Sequence, residues 1–260
     1  MNKLATAFLV ESKKLFRSKV PLVSLLASLM IPFVGGLFMF ILKDPELAQK
    51  MGVISAKAHI MGTADWPSYL GLLSQAIAVG GLFIFGFITS WVFGREYSDR
   101  TINDLLALPI SRGAIVMGKF LVVGLWSLSL SVVVIVLGFI VGRIVDIPQW
   151  STAIAGEGLL TFLLCAILTL FLSTPVALLA SIGRGYLSPL GFIVFTLVTA
   201  QVVAVTGYGW YFPWSVPALL SQTVGQGSMA VEPLGIHILL VTGLVGMGAT
   251  VCWWRYADHK

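Results

Sequence analysis

Long uncharged apolar runs decide what this chain can fold into. Residues 20–42, 66–94, 120–142, 158–183 and 233–254 contain no Asp, Glu, Lys or Arg, and residues 185–231 are uncharged throughout. A hydrocarbon core of about 30 Å takes roughly 20 apolar residues of helix, so each run is long enough to cross. The chain is 58% hydrophobic and 10% charged, with mean hydropathy +0.97. A soluble domain carries about 25% charged residues, so this surface is built for lipid. The expectation is an all-α polytopic membrane protein forming a single transmembrane domain over residues 1–260.

Span limits follow from the charges. Spans are predicted at 20–42, 68–93, 120–142, 158–182, 187–206 and 234–254. The first is retained, because a signal peptide has a shorter apolar core and a small-residue cleavage site. The second half of 185–231, "GYGWYFPWSVPALLSQTVGQGS", is broken by Gly and Pro and crowded with aromatics. Broken backbone at membrane depth must be shielded by protein, and Trp and Tyr favour the interface. Residues 207–226 are therefore expected to be re-entrant or external.

Basic residues accumulate on the cytoplasmic side of membrane proteins. With the N-terminus inside, twelve of the sixteen Lys and Arg fall on that side; Lys43, Lys50, Lys57 and Arg143 fall outside. Both termini are expected in the cytoplasm, in a multi-pass inner-membrane protein. The net charge of +5 belongs to this lipid-facing asymmetry, and no nucleic-acid partner is expected.

Residues 1–19 place Leu4, Phe8, Leu15 and Phe16 roughly on one helical face, with Lys13, Lys14 and Arg17 elsewhere and Lys19 following. This is the pattern of an amphipathic helix on the membrane surface, each basic residue adding about 1 kcal/mol against anionic lipid.

The stretch "FGREYSDRTINDLLALPISRGAIVMGKF", residues 93–120, is the chain's most charged internal segment. Ser98 or Asp99 is placed to cap a short helix. Ile102, Leu105 and Leu106 form an apolar stripe at i, i+3, i+4, with Asp99, Arg100, Asn103 and Asp104 on the other side. Glu96 and Arg100 stand four apart in the favourable order. Pro109 ends the helix by restricting Leu108. Such a helix suits a groove on a cytoplasmic partner.

Several motifs dissolve on inspection. Residues 113–120, "GAIVMGKF", satisfy G-x4-G-K but put Phe120 where a P-loop needs Ser or Thr for magnesium. Residues 205–209, "VTGYG", echo a potassium filter, but the order differs and Gly207 and Gly209 read as a helix end. Ser228 and His237 form at most a hydrolase dyad with no third residue. Cys165 and Cys252 lie far apart in apolar runs. Proton carriers place titrating groups inside the membrane; here the deepest polar side chains are Gln75 and Gln201. Gly138 and Gly142 make a GxxxG pair, and Pro32 and Pro175 stand inside spans, where prolines kink helices.

The charged stretch resembles the segment after the second span in type-2 ABC exporter permeases, particularly six-span permeases of the bacitracin-resistance and lantibiotic-immunity type. The residues carrying the resemblance are Glu96, Arg100, Thr101, Leu105, Leu106, Pro109, Ser111, Arg112 and Lys119. Glu11, Lys14, Arg17, Ser18 and Lys19 are similar to the lead-in of the same group. The resemblance implies a half-transporter: two permeases, identical or homologous, with a dimer of separate ATPase subunits carrying ATP and magnesium, and no cofactor in this chain. It also implies that the short helix docks on the ATPase. Ile102, Leu105 and Leu106 would enter the groove and Asp99, Arg100, Asn103 and Asp104 would line its rim. Arg100 and Arg112 have a second role open, pairing with Glu96 and anchoring to lipid phosphates. The family pattern often carries "KGT" where this chain has "DRT", which adds bulk at Arg100. Exported cargo would be a peptide antibiotic or other amphipathic compound. Alternatives are an ABC machine for metal or sulfur species, as in copper-enzyme maturation, and an ion-coupled secondary carrier.

Overall fold

A computed structural model of the chain describes residues 3–44, 63–102, 105, 110–224 and 232–257. Among these residues there are helices and turns and no strand. A helix α1 (Lys3–Phe16) leads through three residues into α2 (Val20–Lys43). Then come α3 (Trp66–Ser98), α4 (Arg112–Ile144), α5 (Thr152–Leu172), α6 (Thr174–Ile182) and α7 (Leu187–Val205). Two 3₁₀ turns, Gly209–Tyr211 and Pro213–Ser215, precede α8 (Val216–Ser221), and α9 (Pro233–Tyr256) closes the chain. Among the described residues, six stretches are long and apolar enough to cross a membrane: α2, α3, α4, α5 with α6, α7 and α9.

Helix starts follow local capping chemistry. Asp65 accepts from the Ser68 amide at 2.8 Å, Ser111 from Ala114 at 3.4 Å and Ser151 from Ile154 at 3.1 Å. Gly207, at φ 84°, follows the last turn of α7 in the left-handed geometry that favours glycine. Several helices outrun the limits set by charge, α3 and α4 the furthest: α3 reaches Ser98 and α4 begins at Arg112. Charged side chains there are taken up by partners, so they do not end the helix.

The stretch expected as one span over 158–182 is two helices. Pro175 has no amide to offer Phe171, and the Thr174 hydroxyl takes that carbonyl at 2.9 Å while also reaching Gly243 O at 2.6 Å. Span 6 seats itself on this break: a Cβ on Gly246 would lie 2.7 Å from Pro175 N. Pro32, by contrast, sits within an unbroken α2.

α3 is the hub. Two-thirds of its apolar stretch is buried, against 22% for that of α7 and 28% for that of α9, and it packs on α2, α4, α5, α6, α7 and α8. The GxxxG pair serves this hub. A Cβ on Gly138 would stand 2.5 Å from Leu73, and one on Gly142 2.5 Å from the Trp66 ring. Gly142→Leu is therefore expected to destabilise by about 1–3 kcal/mol, read as a lower melting temperature in detergent. Gly248→Ala, with nothing within 4 Å of its new Cβ, is expected not to lower it.

Residues 207–224 fold back on the bundle. Ser215 donates to Gly209 O at 2.6 Å, Cys165 Sγ to Pro217 O at 3.3 Å, and Val216 and Leu220 are buried. At the same end, Arg143 lies 4.0 Å over the Trp150 ring, which meets Trp66 edge-on at 4.6 Å.

Candidate functional site

At the end of the bundle bearing α1 and the C-terminus of α9, four charged side chains meet in the interior. α1 turns the face Ala7, Glu11 and Leu15 inward against α4, so the buried face carries a carboxylate. Phe16, expected on the apolar face, is instead 62% exposed and meets Trp126 edge-on at 5.4 Å. Close approach is possible because α4 presents Gly118, whose Cβ would lie 3.1 Å from the Ala7 and Phe8 backbone.

The next residue, Lys119, is completely buried. Its ammonium donates to Glu11 Oε2 at 2.8 Å, to Val92 O at 2.9 Å and to Glu96 Oε1 at 3.2 Å. A lysine has three donors, and all three are used. Lys14 donates to Glu11 Oε1 at 2.8 Å and Glu96 Oε1 at 2.7 Å. The other Glu96 oxygen accepts from the Thr101 hydroxyl at 2.8 Å. Two carboxylates and two ammoniums balance, as buried charges must. Burial works against the Lys14 ammonium, but the charge and hydrogen bond of Glu11, then those of Glu96, outweigh it and hold its pKa above the ordinary lysine value. Trp254 of α9 closes the cluster, its ring 5.8 Å from Lys119 Nζ and its indole N–H on Ser181 Oγ at 2.9 Å.

The cluster's capacity is mechanical: α1, α3, α4 and the segment that starts at Thr101 are bonded through one carboxylate, Glu96.

Residues 7–200 match the family described as ABC-2 family transporter protein. The chain belongs to that family. The bacitracin transport permease protein BCRB of Bacillus licheniformis is 26% identical over 178 residues, which cover 68% of this chain and 85% of the relative. The protein is thus a membrane permease subunit of an ABC exporter, a transport component. Glu11, Lys14, Glu96 and Lys119 all fall inside the matched residues.

Within the permease, the residues singled out from the sequence divide. Ile102 and Leu105 are helical, and both are buried in the chain's own core, 7% and 9% exposed. Within this single chain the two side chains pack the segment onto the bundle. Asp99 does not cap the segment: it is the C-cap residue of α3, and its carboxylate takes Arg95 at 3.1 Å. Arg100 pairs with neither Glu96 nor Asp99 among the described residues; it is exposed at φ 57°. That conformation costs a residue with a Cβ about 1–2 kcal/mol, a reason for glycine in the pattern the segment resembles. Arg112 also leaves Glu96 alone and donates to Trp254 O at 3.3 Å and Arg255 O at 3.2 Å, binding the C-terminus of α9. Ser111 caps α4. Lys13, Arg17 and Lys19 are exposed, whereas Lys14 is drawn into the cluster. Asn103, Asp104, Leu106 and Pro109 lie outside the described residues, as does Ser228.

Glu11 and Lys119 had no assigned role from the sequence. Their signal was present: one acid in a strongly basic lead-in, and one lysine at the edge of an apolar run. The P-loop look-alike at residues 113–120 is regular helix within α4, with its lysine committed to carboxylates.

A second feature lies in mid-bundle. An open groove of about 460 Å³ between α2 and α3 is lined by Met30, Val34, Phe38 and Leu72, with Gln75 and Gln201 exposed along it. The same two amides border a cavity of about 40 Å³ beneath Trp214 and Gln222.

Proposed function

We propose that this permease exports a peptide-like amphipathic compound across the cytoplasmic membrane, driven by ATP hydrolysed on a separate ATPase dimer. The carrying observation is the Glu96 carboxylate held between Lys14, Lys119 and Thr101. A push on the segment at Thr101 reaches α1, α3 and α4 together, since rigid, fully bonded groups move as a unit. Both termini and this segment face the cytoplasm in the reading supported by the excess of basic residues on that side. The ATPase binds the exposed residues Asp99, Arg100, Thr101 and Ser111, together with Asn103, Asp104 and Leu106 of the same stretch of sequence. ATP and magnesium stay on that partner.

A second permease copy or a homologue covers the groove between α2 and α3. The groove's apolar walls and paired amides suit a cargo with an apolar body and peptide groups, in line with the bacitracin permease relative. Among the described residues no three His, Cys, Asp or Glu side chains converge as metal ligands, so nothing here favours a metal cargo.

The test is co-purification with an ABC ATPase co-expressed with the permease. Reversing charge with Asp99→Lys, Arg100→Glu and Asp104→Lys is expected to cut the recovered ATPase tenfold or more, since like-charge juxtaposition costs several kcal/mol, with an unchanged melting temperature of the permease. Ile102→Asp is expected to lower that melting temperature instead, because it charges a buried site. Undiminished ATPase recovery in the charge-reversed protein, or transport in vesicles without any ATPase, ends the reading.

A further inference from the structure

α1 stands against α4 and away from α3, and the space between α1 and α3 is a cleft of about 530 Å³. Volumes of about 300–1,000 Å³ are those of small-molecule sites. One wall is a single face of α1, Val10, Lys13 and Lys14, continued just past its end by Arg17, at spacings i, i+3, i+4, i+7. The other is the last turns of α3, Trp91, Arg95 and Asp99, and Tyr186 stands at the edge ahead of α7. Four cations therefore face one acid. Lys14 is consumed by Glu11 and Glu96, and Arg95 is shared between Asp99 and the face of Trp91, 5.0 Å away. Lys13 and Arg17 have no acidic partner among the described residues, and both are exposed.

We infer that this cleft binds the phosphodiester headgroup of one anionic phospholipid, independently of how the ATPase docks. The headgroup phosphate sits between Lys13 and Arg17 on one wall and Arg95 on the other, within reach of the Tyr186 hydroxyl. The cations supply charge-assisted hydrogen bonds, and arginine meets phosphate with a fork of donors. A lipid fits better than a soluble anion because the cleft is at the membrane surface and partly apolar. Only residues 17–19 separate α1 from the first span, and Val10, 42% exposed, brings apolar surface to the cleft. The bound headgroup bridges α1 to α3 next to the Lys14–Glu96 bond, so it ties together the same elements as the ion cluster.

Retained lipid decides the matter. The full permease is purified in detergent with phosphatidylcholine containing a fraction of phosphatidylglycerol, and bound lipid is counted by native mass spectrometry. One phosphatidylglycerol per chain is expected, and Lys13→Gln with Arg17→Gln is expected to weaken its retention about thirtyfold. Lys3→Gln with Lys19→Gln, equally exposed but outside the cleft, is expected to keep it. Matched loss in both pairs means diffuse attraction and overturns the cleft. Absence of a retained phosphatidylglycerol on the unaltered protein overturns it too. Displacement of the lipid by inorganic phosphate at equal concentration assigns the cleft to a soluble anion and overturns the lipid reading.

Discussion

Replacing Lys119 by methionine is expected to destabilise the permease by about 3–5 kcal/mol. Lys119 is fully buried, and Glu11 and Glu96 are each about 5% exposed. Without the ammonium, two carboxylates remain beside Lys14 alone, and the Val92 carbonyl loses its donor. Methionine fills the volume, so the effect reads the uncompensated charge and not a cavity. Thermal unfolding in detergent measures it. Glu96→Gln added to Lys119→Met restores the balance of one acid and one base and is expected to recover part of the loss. A Lys119→Met protein that melts with the unaltered one removes the ion cluster from the account of how these elements are held together.

Gly118→Leu is expected to have an effect of similar size through a different route. The new Cβ meets the Ala7 and Phe8 backbone at 3.1 Å, and backbone cannot rotate aside as a side chain does. Overpacking costs about 1–3 kcal/mol, and displacing α1 also carries Glu11 away from Lys119, leaving that charge under-paired. Tryptic cleavage at Lys13, Lys14 and Arg17 should accelerate tenfold or more, because cleavage needs local opening of α1. Combining Gly118→Leu with Lys119→Met should cost less than the sum of the two, since both disturb the Glu11–Lys119 bond. Unchanged cleavage would show that α1 is held from elsewhere.

Much of this architecture is legible in the residues taken singly. Apolar runs announce six crossing stretches because length and hydropathy are local quantities, and Ser111 and Gly207 mark helix ends because capping and left-handed backbone are local too. Pro175 marks a break for the same reason, although that the chain there divides into two helices depended on Thr174 and Gly243 being brought together. The apolar stripe Ile102 and Leu105 was equally visible, but its direction was not: a stripe announces that something covers it, and only packing showed that the cover is this chain's own core.

The candidate site lies at the far end of that scale. Glu11 and Lys119 are 108 residues apart and Lys14 and Glu96 are 82 apart. No periodicity connects such positions. By itself the sequence determined that a greasy helical bundle with few charges would form, because burying or solvating each segment is settled within the segment. Only the tertiary structure decided which of the few charges meet, because a buried ion is tolerable only opposite its counter-ion, and that neighbour is chosen by how helices pack.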